Sequence, residues 1–198
     1  MINKKILSGK EAADALDSEE GKYALELTRN LIGGFQSDCR NLMGPSAEAE
    51  IDWEPIQERY SKSVDGIKDK GHMLVITHDE KPVGMQGYKR IGTDPNTGRE
   101  VIELSHGSIL EEARGQGYIK ELANIAIEQI VENFDDVDIV FGSINLEFAE
   151  LLASGLQFDP ISLEHYYQIQ HSTEDISAFT EEIENKRNTV QYYLMSAK

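Results

Sequence analysis

The chain has 198 residues, 39% of them hydrophobic and 28% charged, and a formal net charge of −17 at pH 7. That length suits one domain with a real core over residues 1–198, and the excess of acidic side chains makes nucleic acid and anionic membranes poor partners, because both are held by lysine and arginine. A single cysteine, Cys39, rules out an internal disulfide and a cysteine-ligated zinc site; no apolar run approaches the roughly 20 residues of a membrane helix, and the first residues lack the apolar core of a signal peptide, so a cytoplasmic location is expected.

The first 70 residues read as helical. Ala24, Leu25, Leu27 and Leu31 mark one segment, ended by Gly33-Gly34. Residues 40–51, around Gly44-Pro45-Ser46, read as a loop. Trp53, Ile56, Tyr60, Val64 and Ile67 then recur at helical spacing behind Asp52 as N-cap, with Gly71 closing the segment. The pattern changes at His72. Residues 73–77 and 83–91 read as strands joined by turn chemistry at 79–82, and 101–110 returns from the polar cluster 92–98, which makes an antiparallel meander. A helix follows to about Asn133, with Ile119, Leu122, Ala123, Ala126, Ile127 and Ile130 on one face. Residues 137–141 suit a buried central strand. Next come a helix over 145–154 with Gly155 as C-cap, strands at 156–158 and 163–169, a helix over 172–186 and a strand over 189–195. The order α-α-β-β-β-α-β-α-β-β-α-β implies a mixed α/β sheet with helices on both faces.

The most informative stretch is Ile109-Leu-Glu-Glu-Ala-Arg-Gly-Gln-Gly-Tyr-Ile-Lys-Glu-Leu122. It reads as a strand end, a two-glycine loop and the start of an amphipathic helix. A helix N-terminus presents unpaired N–H groups and about half a positive charge. Glycines let phosphates approach that backbone closely, and Arg114 adds charge-assisted hydrogen bonds. The segment is built to hold a pyrophosphate. A dinucleotide-binding protein fails on order, because its glycine loop follows the first strand of a parallel βαβ unit, not a meander.

Arg114-Gly-Gln-Gly117-Tyr-Ile119 resembles the signature Arg/Gln-x-x-Gly-x-Gly/Ala of the GNAT superfamily of acetyl-CoA-dependent N-acyltransferases, with Ile119 in the last small position. Downstream, Asn145, Ala149 and Gly155-Leu156 are similar to the family's Asn–Ala helix and its following Gly-Phe, with Leu151 where many members carry a proton-donating tyrosine. The resemblance implies a GNAT-like fold with a largely antiparallel sheet, acetyl-CoA as acyl donor and an amine acceptor. It places the pyrophosphate on Arg114, Gly115 and the backbone N–H groups of Gln116, Gly117, Tyr118, Ile119 and Lys120. The pantetheine arm would run along the main chain at Ile109, Leu110 and Glu111, with Asn145 as a further contact and the Ile109 N–H as oxyanion donor.

Direct attack on the thioester requires a base to remove the amine proton. Glu103 lies eleven residues before Arg114, a spacing at which some family members carry a catalytic glutamate. Period-two geometry puts Glu103, Ser105 and Gly107 on one face and Leu104, His106 and Ser108 on the other. His106 is the competing base. Each has a plainer role open to it: Glu103 paired with Lys89, His106 as a hydrogen-bonded sheet residue, Asn145 as an N-cap. Tyr166, Tyr167, Tyr192 and Tyr193 are either strand packing or, for one of them, a proton donor. The acidic balance favours a cationic acceptor. The competing reading is a GNAT-like module that binds acyl-CoA for regulation or protein interaction, favoured by Ile119 and Leu151. The segment 172–198 either completes its own sheet or pairs across a homodimer.

Overall fold

The structure is a computed structural model that describes residues 3–43, 52–143, 145–186 and 190–197, without the side chains of residues 38–43 and 146. The loop expected around Gly44-Pro45-Ser46, and the Cys39 side chain, lie outside the described residues. The chain divides into two compact units, Met1–Tyr88 with Leu104–Ala126 and Lys89–Glu103 with Ile127–Lys198. Seven strands form a sheet in the order β1-β2-β3-β4-β5-β7-β6. They are β1 (Lys4–Ser8), β2 (Met73–His78), β3 (Lys81–Thr93), β4 (Glu100–Ile109), β5 (Val137–Ser143), β6 (Asp159–Ile161) and β7 (Gln191–Ser196). Strands β3 and β4 each supply residues to both units. The architecture is mixed α/β, as the order of elements implies, with the mostly antiparallel sheet that the resemblance implies.

In the first unit, helix α1 (Gly9–Met43) and helix α2 (Trp53–Asp69) pack on β2 and β3. Ala12, Leu16, Leu27, Val64, Ile67, Met73, Val75, Met85 and Leu110 form one buried cluster. Each large aliphatic side chain buried there contributes about 1.5–3 kcal/mol of transfer free energy. Asp52 caps α2 as its position suggests, accepting from the Glu54 N–H at 3.2 Å. Only the C-terminal half of the α2 stripe, Val64 and Ile67, is buried; Trp53, Ile56 and Tyr60 remain partly exposed. Helix α1 breaks at Ser18–Gly21, where Glu19, Glu20 and Gly21 are left-handed, and runs straight through Gly33-Gly34. Two glycines cost a helix about 1 kcal/mol each relative to alanine, and the burial of Leu27, Thr28 and Ile32 outweighs that.

Strand β1 is absent from the pattern expected of the first 70 residues. Lys4-Lys5-Ile6-Leu7-Ser8 pairs antiparallel with β2 at the edge of the sheet. A lysine-bearing edge strand carries little hydrophobic signal.

In the second unit, β4 pairs in parallel with β5 from Glu100↔Val137 to Glu103↔Val140, and β7 pairs antiparallel with both β5 and β6. The C-terminal segment thus supplies an inner strand of its own sheet. Residues 163–169 form a helix rather than a strand: α5 (Leu163–His171) starts at Ser162, whose hydroxyl accepts from the His165 N–H at 3.1 Å. Its Tyr-Tyr pair has strand propensity, but Leu163, Tyr166 and Tyr167 fall at i, i+3 and i+4 and are buried together with Val101, Val140 and Ile169. Helix α4 (Leu146–Leu156) runs past Gly155 and ends at a left-handed Gln157, so the expected strand at 156–158 shifts to β6. The helix expected over 172–186 is limited to a 3-10 turn (Ser177–Phe179) and α6 (Thr180–Lys186). Between β4 and β5 runs helix α3 (Tyr118–Asn133), with Leu122, Ala123, Ala126 and Ile130 buried as its spacing predicts.

Candidate active site

The glycine loop belongs to the first unit. Strand β4 ends at Ile109, a 3-10 turn (Glu111–Ala113) follows, and the loop opens into α3 at Tyr118. Gly115 and Gly117 have φ +75 and +77, and a Cβ at either would meet nothing within 4 Å. The backbone conformation, and not crowding, is what demands glycine there. It also leaves the loop surface uncovered; Arg114, Gly115, Gln116 and Gly117 are all exposed.

Side chains fix both flanks of this loop. The Tyr118 hydroxyl lies 2.8 Å from His78 Nε2. Arg114 Nε donates to the Ile109 carbonyl at 3.3 Å and Nη2 to Asn30 Oδ1 at 3.0 Å. Leu110 is buried, its N–H donating to the Val83 carbonyl, while the carbonyls of Leu110 and Glu111 accept within the 3-10 turn. Lys120 is exposed on the first turn of α3. Ile119, the departure from the small-residue pattern, points back at the sheet. Its Cδ1 would lie 2.9 Å from a Cβ on Gly107, so glycine in β4 makes the room that a small residue in the helix would otherwise provide.

His106 lies in β4 with φ +59, is 8% exposed, and has its ring 5.2 Å from that of Tyr60, tilted by 58°. A left-handed non-glycine residue inside a strand costs about 1–3 kcal/mol, and such strain gathers at functional sites. Beyond it, Gly107 faces Ile119, whereas the Ser108 hydroxyl donates to the Leu27 carbonyl in α1 at 3.0 Å.

Glu103 belongs to the second unit. Its side chain is 14% exposed, with Lys89 Nζ 3.3 Å from Oε2. The Tyr166 hydroxyl donates to Oε1 at 2.9 Å, and the Tyr166 ring stacks on Tyr192. Burial, then the Glu103 charge, pushes the Tyr166 phenol far above its ordinary range. Tyr166 therefore stays a protonated donor to Glu103. Lys89 and Tyr166 thus each hold a different oxygen of the carboxylate, and the pairing with Lys89 is the plainer role that the sequence left open. Of the other tyrosines, Tyr167 accepts from Lys186 and Tyr193 stacks on Phe141. Asn145 caps α4, its Oδ1 accepting from the Phe148 N–H at 2.9 Å.

The structure thus groups Ile109 through Lys120 in one unit with His106, and places Glu103 and Asn145 in the other. Sequence reasoning did not find Asn30, whose contacts reach 79 and 84 residues along the chain, and assigned no partner to Tyr166. No local pattern signals either contact. Among the described residues, no group of three or more His, Cys, Asp or Glu could hold a metal ion, and no helix is long and apolar enough to cross a membrane.

In this mostly antiparallel seven-stranded sheet, β4 feeds an arginine–glycine loop and then helix α3. The model of the acetyltransferase (GNAT) family matches residues 37–141, and the chain belongs to that family. Among curated proteins, none matches the sequence. Solved structures show the same fold at low identity. A GNAT-family acetyltransferase from Staphylococcus aureus is 15% identical, with 99% of this chain and 100% of that one covered, at a TM-score of 0.58. A protein from Pyrococcus horikoshii is 13% identical over 99% of each chain, at 0.60. A GCN5-related N-acetyltransferase from Ralstonia eutropha is 14% identical, covering 81% of this chain and 94% of that one, at 0.55.

Proposed function

We propose that the protein transfers an acetyl group from acetyl-CoA to a primary amine. The observation that carries this reading is the loop of Arg114, Gly115 and Gly117 opening into α3: exposed, left-handed at both glycines and headed by a guanidinium. Exposed backbone N–H groups at a helix start, beside an arginine, fit the charge and shape of a pyrophosphate. In the reaction, the amine nitrogen attacks the thioester carbonyl carbon, the carbon–sulfur bond breaks, and the thiolate leaves. Glu103 takes the amine proton, directly or through water, and backbone N–H groups at the end of β4 meet the forming oxyanion. The acidic surface favours a cationic acceptor, and the proposed class is a small cationic amine or a protein amine.

Calorimetric titration with acetyl-CoA tests the loop. Wild type binds in the micromolar range and Arg114→Glu loses at least about tenfold in affinity, since reversing a charge at a phosphate contact replaces attraction with repulsion. Thiol release in the presence of amines then tests transfer. Absence of acetyl-CoA binding by wild type removes the enzyme reading.

Leu151, 75% exposed where the family resemblance points to a tyrosine, favours a second reading in which the chain binds acyl-CoA without turnover. Binding with no thiol release across a broad amine panel would support it.

A further inference from the structure

We propose that Asn30 is the positioning residue of the donor site, holding Arg114 aimed and still charged for the phosphates; this rests on the phosphate-loop reading above. Asn30 is half-buried on α1, and one amide group reaches three partners. Its Nδ2 donates to Ser108 Oγ at 2.8 Å and to the Ile109 carbonyl at 3.0 Å, and its Oδ1 accepts from Arg114 Nη2 at 3.0 Å. The partners fix the amide's orientation. A guanidinium only donates and a carbonyl only accepts, so the flipped amide would set donor against donor and acceptor against acceptor. Ser108 anchors the same point from below by donating to Leu27, one turn before Asn30.

The nature of these partners matters as much as their geometry. Several cations of this acidic chain meet carboxylates: Lys4 with Glu121, Lys68 with Asp17, Lys81 with Glu112, Arg90 with Glu100, Arg99 with Asp138. Arg114 is held instead by an amide oxygen and a backbone carbonyl, both neutral. Neither of these two partners cancels its positive charge, and they engage two of its five N–H donors. An exposed arginine would otherwise lose rotamer freedom when the ligand binds; Asn30 has imposed that order beforehand. The same clamp ties α1 to the end of β4, so a shift of α1 moves the guanidinium.

The test compares binding of CoA with binding of pantetheine, which has no phosphates, by calorimetry on wild type, Asn30→Ala and Asn30→Asp. Asn30→Ala should weaken CoA about two- to tenfold, the range set by one immobilised side chain. Asn30→Asp keeps the shape but sets a carboxylate on the guanidinium, and should weaken CoA further. Pantetheine affinity should fall clearly less than CoA affinity in both variants, because Asn30 also touches the Ile109 carbonyl beside the expected pantetheine path. In an Arg114→Ala background, Asn30→Ala should have no further effect on CoA. Thermal melts confirm folding, and the near-isosteric Asn30→Asp carries the test should Asn30→Ala unfold. Unchanged CoA affinity in folded variants, with wild type binding CoA, overturns the positioning role alone. Equal weakening of CoA and pantetheine shows a general structural role and also overturns it. A wild type that binds no CoA removes the phosphate-loop reading and this inference with it.

Discussion

At the scale of single residues, two ionisable groups make separate demands. Glu103 is held by Tyr166 on one oxygen and Lys89 on the other, which fixes the carboxylate without filling its acceptor sites. If Glu103 is the proposed base, replacing it by glutamine keeps the shape and removes the proton acceptor, so kcat should fall about 10²- to 10⁴-fold, the usual worth of a positioned acid or base. Acetyl-CoA affinity should hardly change; an unaltered kcat would exclude Glu103 from proton transfer. His72 concerns stability. Burial, and then the nearby Lys70 charge, lowers its pKa below the ordinary value, with the ring stacked on Tyr88 at 4.7 Å. The folded state therefore favours the neutral ring, and unfolded chains bind more protons below about pH 6.5. The stability His72 contributes is complete above that pH and is lost as pH falls toward the lower folded-state value. Melting temperature should drop on mild acidification, and His72→Gln should flatten that part of the profile.

Elements show where the sequence speaks and where it is silent. The meander, the loop and the α3 stripe were legible because each is written in local residues: turn chemistry at 79–82, Arg114 with its glycines, apolar spacing from Ile119 to Ile130. The segment of helix α5 reads as a strand in sequence because Tyr166-Tyr167 satisfy both patterns, and only their shared burial with Val101 and Val140 decides. Edge strand β1 was silent because an edge with two lysines needs little apolar content. For the site, the loop was readable, but the Asn30 and Tyr166 contacts are products of the tertiary fold. The Ile119–Gly107 relation is of the same kind, two unremarkable residues that make sense only together. Gly107→Ala should destabilise by about 1 kcal/mol, because the new methyl must displace the ends of the Ile119 and Gln86 side chains. Chemical denaturation measures this, and adding Ile119→Ala should recover part of the loss. An additive double variant would show that the two positions do not compete for space.

For the whole molecule, the net charge of −17 is the dominant fact. If the acceptor is cationic, the field of 36 acidic residues against 19 basic raises its local concentration, and salt removes that advantage. Raising ionic strength from about 0.01 to 0.5 M shortens the screening length from roughly 30 Å to under 10 Å. KM for a polyamine-like acceptor should then climb several-fold, whereas KM for a neutral amine should stay level. A salt-independent KM for the best cationic substrate would assign the acidity to solubility alone.

The place of β7 has a consequence for synthesis. In space it lies between β5 and β6, yet in sequence it follows both, and β6 has no other neighbour in the sheet. A ribosome releases the chain in order, so β5 and β6 emerge some 30–50 residues before the strand that joins them. During that interval β5 presents an open backbone edge and β6 has no partner. The second unit can close only after residue 196 has cleared the exit tunnel, while nearly all of the first has been free since residue 126. A ribosome stalled short of β7 would thus carry a largely folded loop unit and an unfinished sheet, the state in which a nascent chain most needs a chaperone.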